Sequence, residues 1–140
     1  MHEVSIALSM LSLVEDAFRR TPGARRVSKI RIEVGLLSLV DVEALRFALR
    51  TVARGTPAEN AVIEIMVSKP VFRCRKCGYQ WSVSDSDINR IAGDEEKRMI
   101  LHIYPDVAAK YFTCPRCGGN SIDIVKGRGV VLLDVEIETA

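Results

Sequence analysis

The chain is poor in the residues on which enzymatic chemistry usually rests. Its 140 residues include two histidines, His2 and His102, and four cysteines, Cys74, Cys77, Cys114 and Cys117. Two imidazoles leave little room for histidine-based acid–base catalysis. No nucleophile–base pair, Gly-rich phosphate loop or carboxylate dyad is evident, and Gly127-Arg128-Gly129 is too short to be a P-loop. Long apolar runs are missing as well. The longest, Val130 to Leu133, stops at Asp134, far short of the ~18 residues that a bilayer span needs. The start, Met1-His2-Glu3, has no basic region, and Arg19 and Arg20 follow the apolar stretch instead of preceding it. That is the wrong order for a secretory signal. Charge of one sign is not in excess: 20 basic against 18 acidic side chains leave +2, so the chain as a whole is not built to embrace a polyanion. What remains is ordinary globular composition in a length that suits one compact domain or two small ones. These features predict a soluble cytoplasmic protein with no membrane partner.

Hydrophobic spacing predicts the elements. Over residues 4–20, Ile6, Met10, Leu13, Val14, Ala17 and Phe18 line one helical face, and Thr21-Pro22-Gly23 ends the helix. Residues 27–34 alternate Ile30, Ile32 and Val34 against Lys29, Arg31 and Glu33, as a half-buried strand does. A second helix fits 42–54, capped by Ser38 or Asp41, with Val42, Leu45, Leu49 and Val52 on its apolar face. A second strand covers 61–67. A third covers 129–138, with Val131, Leu133, Val135 and Ile137 set against Asp134, Glu136 and Glu138. The order predicts an α+β fold, two helices on a three-stranded sheet, with a zinc-ribbon-like domain inserted before the last strand. The expected boundaries are 1–69 plus 128–140 for the first domain and 70–127 for the insertion. Within the insertion, residues 84–98 are polar and charged and read as a mobile loop or a short solvated helix.

All four cysteines lie in that insertion, as Cys74-Arg-Lys-Cys77-Gly78 and Cys114-Pro-Arg-Cys117-Gly118. In a reducing compartment such pairs are metal ligands far more often than disulfides. Each motif is a tight turn that puts both sulfurs on one side, and two of them supply the tetrahedral set that suits zinc. Iron of rubredoxin type fits the same four sulfurs. A catalytic zinc keeps one position open, whereas four thiolates close the shell, so the predicted role is structural. Phe72, Tyr79, Trp81, Tyr111 and Phe112 flank the motifs and are expected to form a small core around them. Arg73, Arg75, Lys76, Arg116, Lys126 and Arg128 also gather there. They are read as offsetting the −2 charge of a tetrathiolate centre in preference to binding nucleic acid.

Several of these features together resemble the HypA family, the nickel-delivery metallochaperones of [NiFe] hydrogenase maturation. They are Met1-His2-Glu3 directly before a helix, Val34-Gly35-Leu36-Leu37 at a strand end, Phe72-Arg73-Cys74, the second cysteine pair, and Lys126-Gly127-Arg128-Gly129 before the last strand. The resemblance covers essentially the whole chain, and the long segment between the cysteine pairs is similar to that of archaeal members. It implies a nickel domain built on the N-terminus and a separate domain holding structural Zn(2+). It also implies that Met1, His2 and Glu3 belong to a site for Ni(2+), a transient cargo. An amine, two backbone amides and an imidazole fit the square-planar nitrogen ligation that nickel(II) favours. Glu3 alone would read as an acid favouring the helix dipole. His102 is implied as a further nickel ligand; read alone, it is a half-buried core histidine. The implied partners are a HypB-type GTPase or related ATPase and the [NiFe] hydrogenase large subunit, served by ligand exchange and not by catalysis. Monomer and homodimer are both compatible with the connections near 68–71 and 126–129, which would allow strand exchange. Two rival classes stand beside this reading: a zinc-ribbon nucleic-acid-binding protein and a metal-dependent enzyme.

Overall fold

A computed structural model describes residues 2–140; Met1 and the side chains of His2, Asp85, Ala92, His102 and Pro105 lie outside that description. The chain divides into two compact units. One comprises residues up to Glu33, Val40–Met66 and Val130–Ala140; the other comprises Val34–Leu39 and Val67–Gly129.

In the first unit, helix α1 (His2–Arg20) and helix α2 (Val42–Val52) pack together, and strand β1 (Ala24–Gly35) runs between strand β2 (Val62–Ser68) and strand β6 (Val130–Thr139). The buried face of α1 is Ala7, Met10, Leu11 and Val14, the i, i+3, i+4, i+7 stripe of an amphipathic helix. Leu13, expected on that stripe, is 50% exposed; at about 100° per residue it lies roughly 60° around the helix beyond Met10, the edge of the buried stripe. Helix α2 starts at Asp41, whose carboxylate accepts the Ala44 N–H at 3.0 Å. That cap is worth ~1 kcal/mol. Leu45, Ala48 and Leu49 are its buried residues, and each fully buried leucine contributes ~2 kcal/mol.

Simple alternation fails at two places in this sheet. Val27 and Ile30 are both buried, three residues apart instead of two, and neither Ser28 nor Lys29 between them is buried. In β6, Val131 is 50% and Leu133 40% exposed, although both were expected on the buried face with Val135 and Ile137. The adjacent Leu133 and Asp134 both face out, so the phase slips by one residue there, as it does when a bulge sets two residues against one. Arg26 pairs with Glu138 and Arg31 with Asp134, which makes β1 and β6 antiparallel. The Arg26 hydrogen bonds hold the Glu138 carboxyl below its usual range.

The second unit has its own sheet, with strand β3 (Val71–Cys74) between strand β4 (Gln80–Ser82) and strand β5 (Ile122–Lys126), both antiparallel to it. Phe72 stands opposite Trp81 on one side and Ile124 on the other. Residues 84–98, expected as a loop or one short helix, carry helix α3 (Asp85–Ala92) and the start of helix α4 (Glu95–Ile103). Ser84 caps α3 through the Asp87 N–H at 3.2 Å, and Asp94 caps α4 through the Lys97 N–H at 3.1 Å. Ile88, Ile91 and Leu101 bury their side chains with Phe72, Val83, Ala108, Phe112 and Ile122. Leu37, from the short 3₁₀ turn Leu36–Ser38, joins this core. For that reason Val34–Leu39, drawn from the sequence into the first domain, packs with the second unit.

Backbone crosses backbone closely beneath this core. The Gly35 N–H donates to Gly129 O at 2.7 Å and the Leu37 N–H to Gly127 O at 2.9 Å. A Cβ added to Gly35 would lie 2.3 Å from the Gly127 carbonyl carbon, and one on Gly127, whose φ is +97°, would lie 2.5 Å from Pro70 Cα. Neither neighbour is a side chain that could swing away. Gly35→Ala and Gly127→Ala are each expected to cost on the order of 3 kcal/mol, from overpacking and, at Gly127, backbone strain. Denaturant midpoints would measure it. A loss below about 0.5 kcal/mol would contradict the crossing, since that is the ordinary spread for surface changes.

Candidate metal centre

The two cysteine motifs fold as near copies. In the first, the Gly78 N–H donates to Cys74 O at 2.9 Å and the Cys74 N–H to Tyr79 O at 2.8 Å; in the second, Gly118 and Cys114 repeat the first bond at 2.9 Å, and Cys114 and Gly119 the second at 2.8 Å. The turn requires a positive φ after the second cysteine, which Gly78 (+79°) and Gly118 (+72°) supply. The Arg75 N–H donates to Ser121 O at 2.8 Å, tying the first turn to the chain beyond the second.

The turns face each other and bring all four sulfurs within 4.8 Å of one another. Cys74 Sγ lies 3.5 Å from Cys117 Sγ, and Cys77 Sγ lies 3.6 Å from Cys114 Sγ. A tetrahedron with zinc–sulfur bonds of about 2.3 Å has edges of about 3.8 Å, so the set fits a single tetrahedral ion. Backbone N–H groups aim at the sulfurs: Arg116 and Cys117 donate to Cys114 at 3.4 and 3.5 Å, and Gly119 donates to Cys117 at 3.4 Å. Burial pushes the Cys114 thiol up, but the Cys117 and Arg116 N–H groups and the neighbouring thiols outweigh it and bring it down to about 7. Cys74 is lowered chiefly by the Cys77 N–H, against its burial. At Cys77 the Tyr79 N–H lowers the thiol, yet burial and the three other sulfurs push it up to about 11. The thiols thus divide between easy and reluctant ionisation, as four like charges in one small volume must. A divalent cation among them removes that conflict.

The aromatic residues expected around the site are there, in a graded column. Phe72 meets Phe112 edge-on at 5.0 Å and Trp81 at 5.8 Å; Trp81 stacks on Tyr79 at 5.9 Å, and the Arg116 guanidinium lies 5.9 Å over the Tyr79 ring. Phe72 and Phe112 are buried, whereas Tyr79 is 38% exposed. Of the neighbouring cations, Arg73 and Arg75 pair with Asp123, and Arg128 pairs with Asp106. Two carboxylates thus offset part of the positive charge of the supposed nucleic-acid patch.

The residues expected at the N-terminal site divide differently. Met1 and the side chains of His2 and His102 lie outside the described residues. The Glu3 carboxylate accepts the Asp41 N–H at 3.3 Å, joining the first turn of α1 to the cap of α2. Asp41 was read from sequence only as a cap; its nearness to Glu3 depends on the packing of two helices and leaves no local signal.

A two-unit α+β protein that gathers four thiols into one tetrahedral set has the donor set of a metal-binding protein. Comparison with known proteins makes this specific. The profile described as "Hydrogenase/urease nickel incorporation, metallochaperone, hypA" matches residues 1–137. Two hydrogenase maturation factors HypA, from Thermococcus kodakarensis and Pyrococcus horikoshii, are each 35% identical to this chain, over 99% of it and 96% of their own length. The solution structure of the nickel metallochaperone HypA from Helicobacter pylori superposes with a TM-score of 0.64 at 18% identity, covering 99% of this chain and 98% of that one, which shows a shared fold. The chain belongs to the HypA family of nickel metallochaperones. It is a maturation factor and not an enzyme. No helix among the described residues is long and apolar enough to cross a membrane.

Proposed function

We propose that this chain binds one nickel(II) ion at its amino terminus and hands it to the large subunit of a [NiFe] hydrogenase in the cytoplasm. The observation that carries the reading is the whole-chain match to a nickel-incorporation family, whose curated relatives are hydrogenase maturation factors, on a chain that begins Met1-His2-Glu3. The Met1 amine, the amides of His2 and Glu3 and the His2 imidazole form fused chelate rings around nickel once the amides are deprotonated. Glu3 is held to α2 through Asp41, so the first turn that carries the ligands has a fixed anchor. His102, the other imidazole of the chain, is assigned as an additional ligand. Proton release on binding makes the grip reversible, which is what transfer by ligand exchange requires. A HypB-type GTPase or related ATPase is the proposed source or regulator of the nickel.

Cys74, Cys77, Cys114 and Cys117 are assigned as ligands of a structural zinc. When bound, zinc supplies a cation that neutralises the thiolates and cross-links the two turns. The N–H groups of Arg116, Cys117 and Gly119 orient and stabilise the thiolates.

Calorimetric nickel titration of the zinc-loaded chain, with a free native start, tests the proposal. One equivalent of tightly held, square-planar nickel is expected. Failure to capture any nickel would end the reading.

A further inference from the structure

The four sulfurs are not equivalent. Cys74 (0% exposed) and Cys114 (2% exposed) are buried, whereas Cys77 and Cys117 are exposed. The two kinds also differ in their hydrogen bonds. Cys114 accepts two backbone N–H groups, from Arg116 and Cys117. Cys117 accepts one, from Gly119. Each such bond draws electron density from the sulfur and makes it a poorer nucleophile. Access and reactivity therefore point to the same edge of the tetrad.

Local structure keeps that edge open. A Cβ on Gly119 would stand 3.3 Å from Cys117 Sγ, so the glycine leaves room above the sulfur that any other residue would fill. A cleft of about 400 Å³ lies alongside, lined by Arg75, Lys76, Gly119, Asn120 and Ser121.

Resting on the zinc assignment above, we propose that Cys77 and Cys117 form a modification edge, where α,β-unsaturated carbonyl electrophiles attack the metal centre, while Cys74 and Cys114 are its anchors. In the step, a lone pair on a metal-bound sulfur forms a bond to the alkene carbon of the electrophile. The carbon–carbon π bond breaks, and the adjacent carbon takes a proton from water, leaving hydroxide. The sulfur becomes an uncharged thioether, its bond to the metal breaks, and the ion leaves from the exposed side.

The test treats the intact, metal-loaded chain with less than one equivalent of N-ethylmaleimide, maps adducts by peptide mass spectrometry and follows metal release with a chromogenic chelator. First adducts are expected on Cys77 or Cys117, in about tenfold excess over Cys74 and Cys114 together, with metal released in step with the first adduct. First adducts spread evenly over the four, or falling on Cys74 or Cys114, would overturn the proposal. A chain that carries no metal before the reagent is added, with all four thiols reacting at once, would instead overturn the zinc assignment and this inference with it.

Discussion

Replacing Cys114 by serine is expected to dissolve the second unit as a folded body. Cys114 is buried, accepts two backbone N–H groups and is one of four sulfurs within 4.8 Å. Serine offers a poor ligand for a soft site, and a half-buried tetrad left with three thiolates retains its mutual repulsion without full compensation. Structural zinc contributes about 10–16 kcal/mol in small zinc-finger peptides at neutral pH. This unit is larger and buries Phe72, Ile91 and Leu101 on its own account, so a smaller share, several kcal/mol, depends on the metal. Typical domain stability is only about 5–15 kcal/mol, and the loss should therefore populate the unfolded form.

Trp81, the only tryptophan, reports the event directly, because it is partly buried and packs edge-on to Phe72 against the core of this unit. Its emission should shift to the red in Cys114→Ser and in wild type stripped of metal by a chelator. Amide exchange should rise across 67–129 while Ile30, Ile32 and Leu45, in the core of the other unit, keep their protection. Unchanged Trp81 emission after complete metal removal would show that the aromatic core holds the unit unaided.

The metal centre was legible in the sequence because its determinants are local. Two cysteines, a two-residue spacer and a glycine dictate a turn whose hydrogen bonds close within six residues, and the structure repeats that turn twice. The helix–strand order was legible for a similar reason: the face of α2 that carries Leu45 and Leu49 is set by periodicity alone. What escaped depends on a single residue or on distant partners. In β6 the exposure pattern slips by one residue, leaving Val131 and Leu133 outward, and nothing in an alternating string marks where the phase changes. The stretch 84–98 reads as a mobile loop or one short solvated helix, yet Ser84 and Asp94 cap two helices that need only Ile88, Ile91 and Leu101 to reach the core. Leu37 gave no sign of which unit it would join, since a buried leucine looks the same in either core. The contact of Glu3 with Asp41 spans 38 residues and arises from helix packing.

The second large effect concerns the front of the chain. His2→Ala is expected to weaken nickel binding at least about 100-fold, roughly 2.7 kcal/mol, because the imidazole closes the last chelate ring and anchors the ion while the amides lose their protons. A short extension ahead of Met1 should do the same by converting the amine to an amide, although it leaves every side chain in place. Binding should also rise with pH. The imidazole must be neutral and the amide protons must depart, so affinity falls as the medium is acidified. His102→Ala is expected to cost less, since one imidazole cannot replace a fused chelate. None of these changes touches a cysteine, and Trp81 emission should stay where it is in all of them. That separation is the sharpest feature of the expected result: the N-terminal variants lose nickel and keep the fold of the second unit, whereas Cys114→Ser loses that fold. Should His2→Ala hold nickel as tightly and with the same square-planar spectrum as wild type, the ion sits elsewhere, and the amino terminus is only the start of a helix.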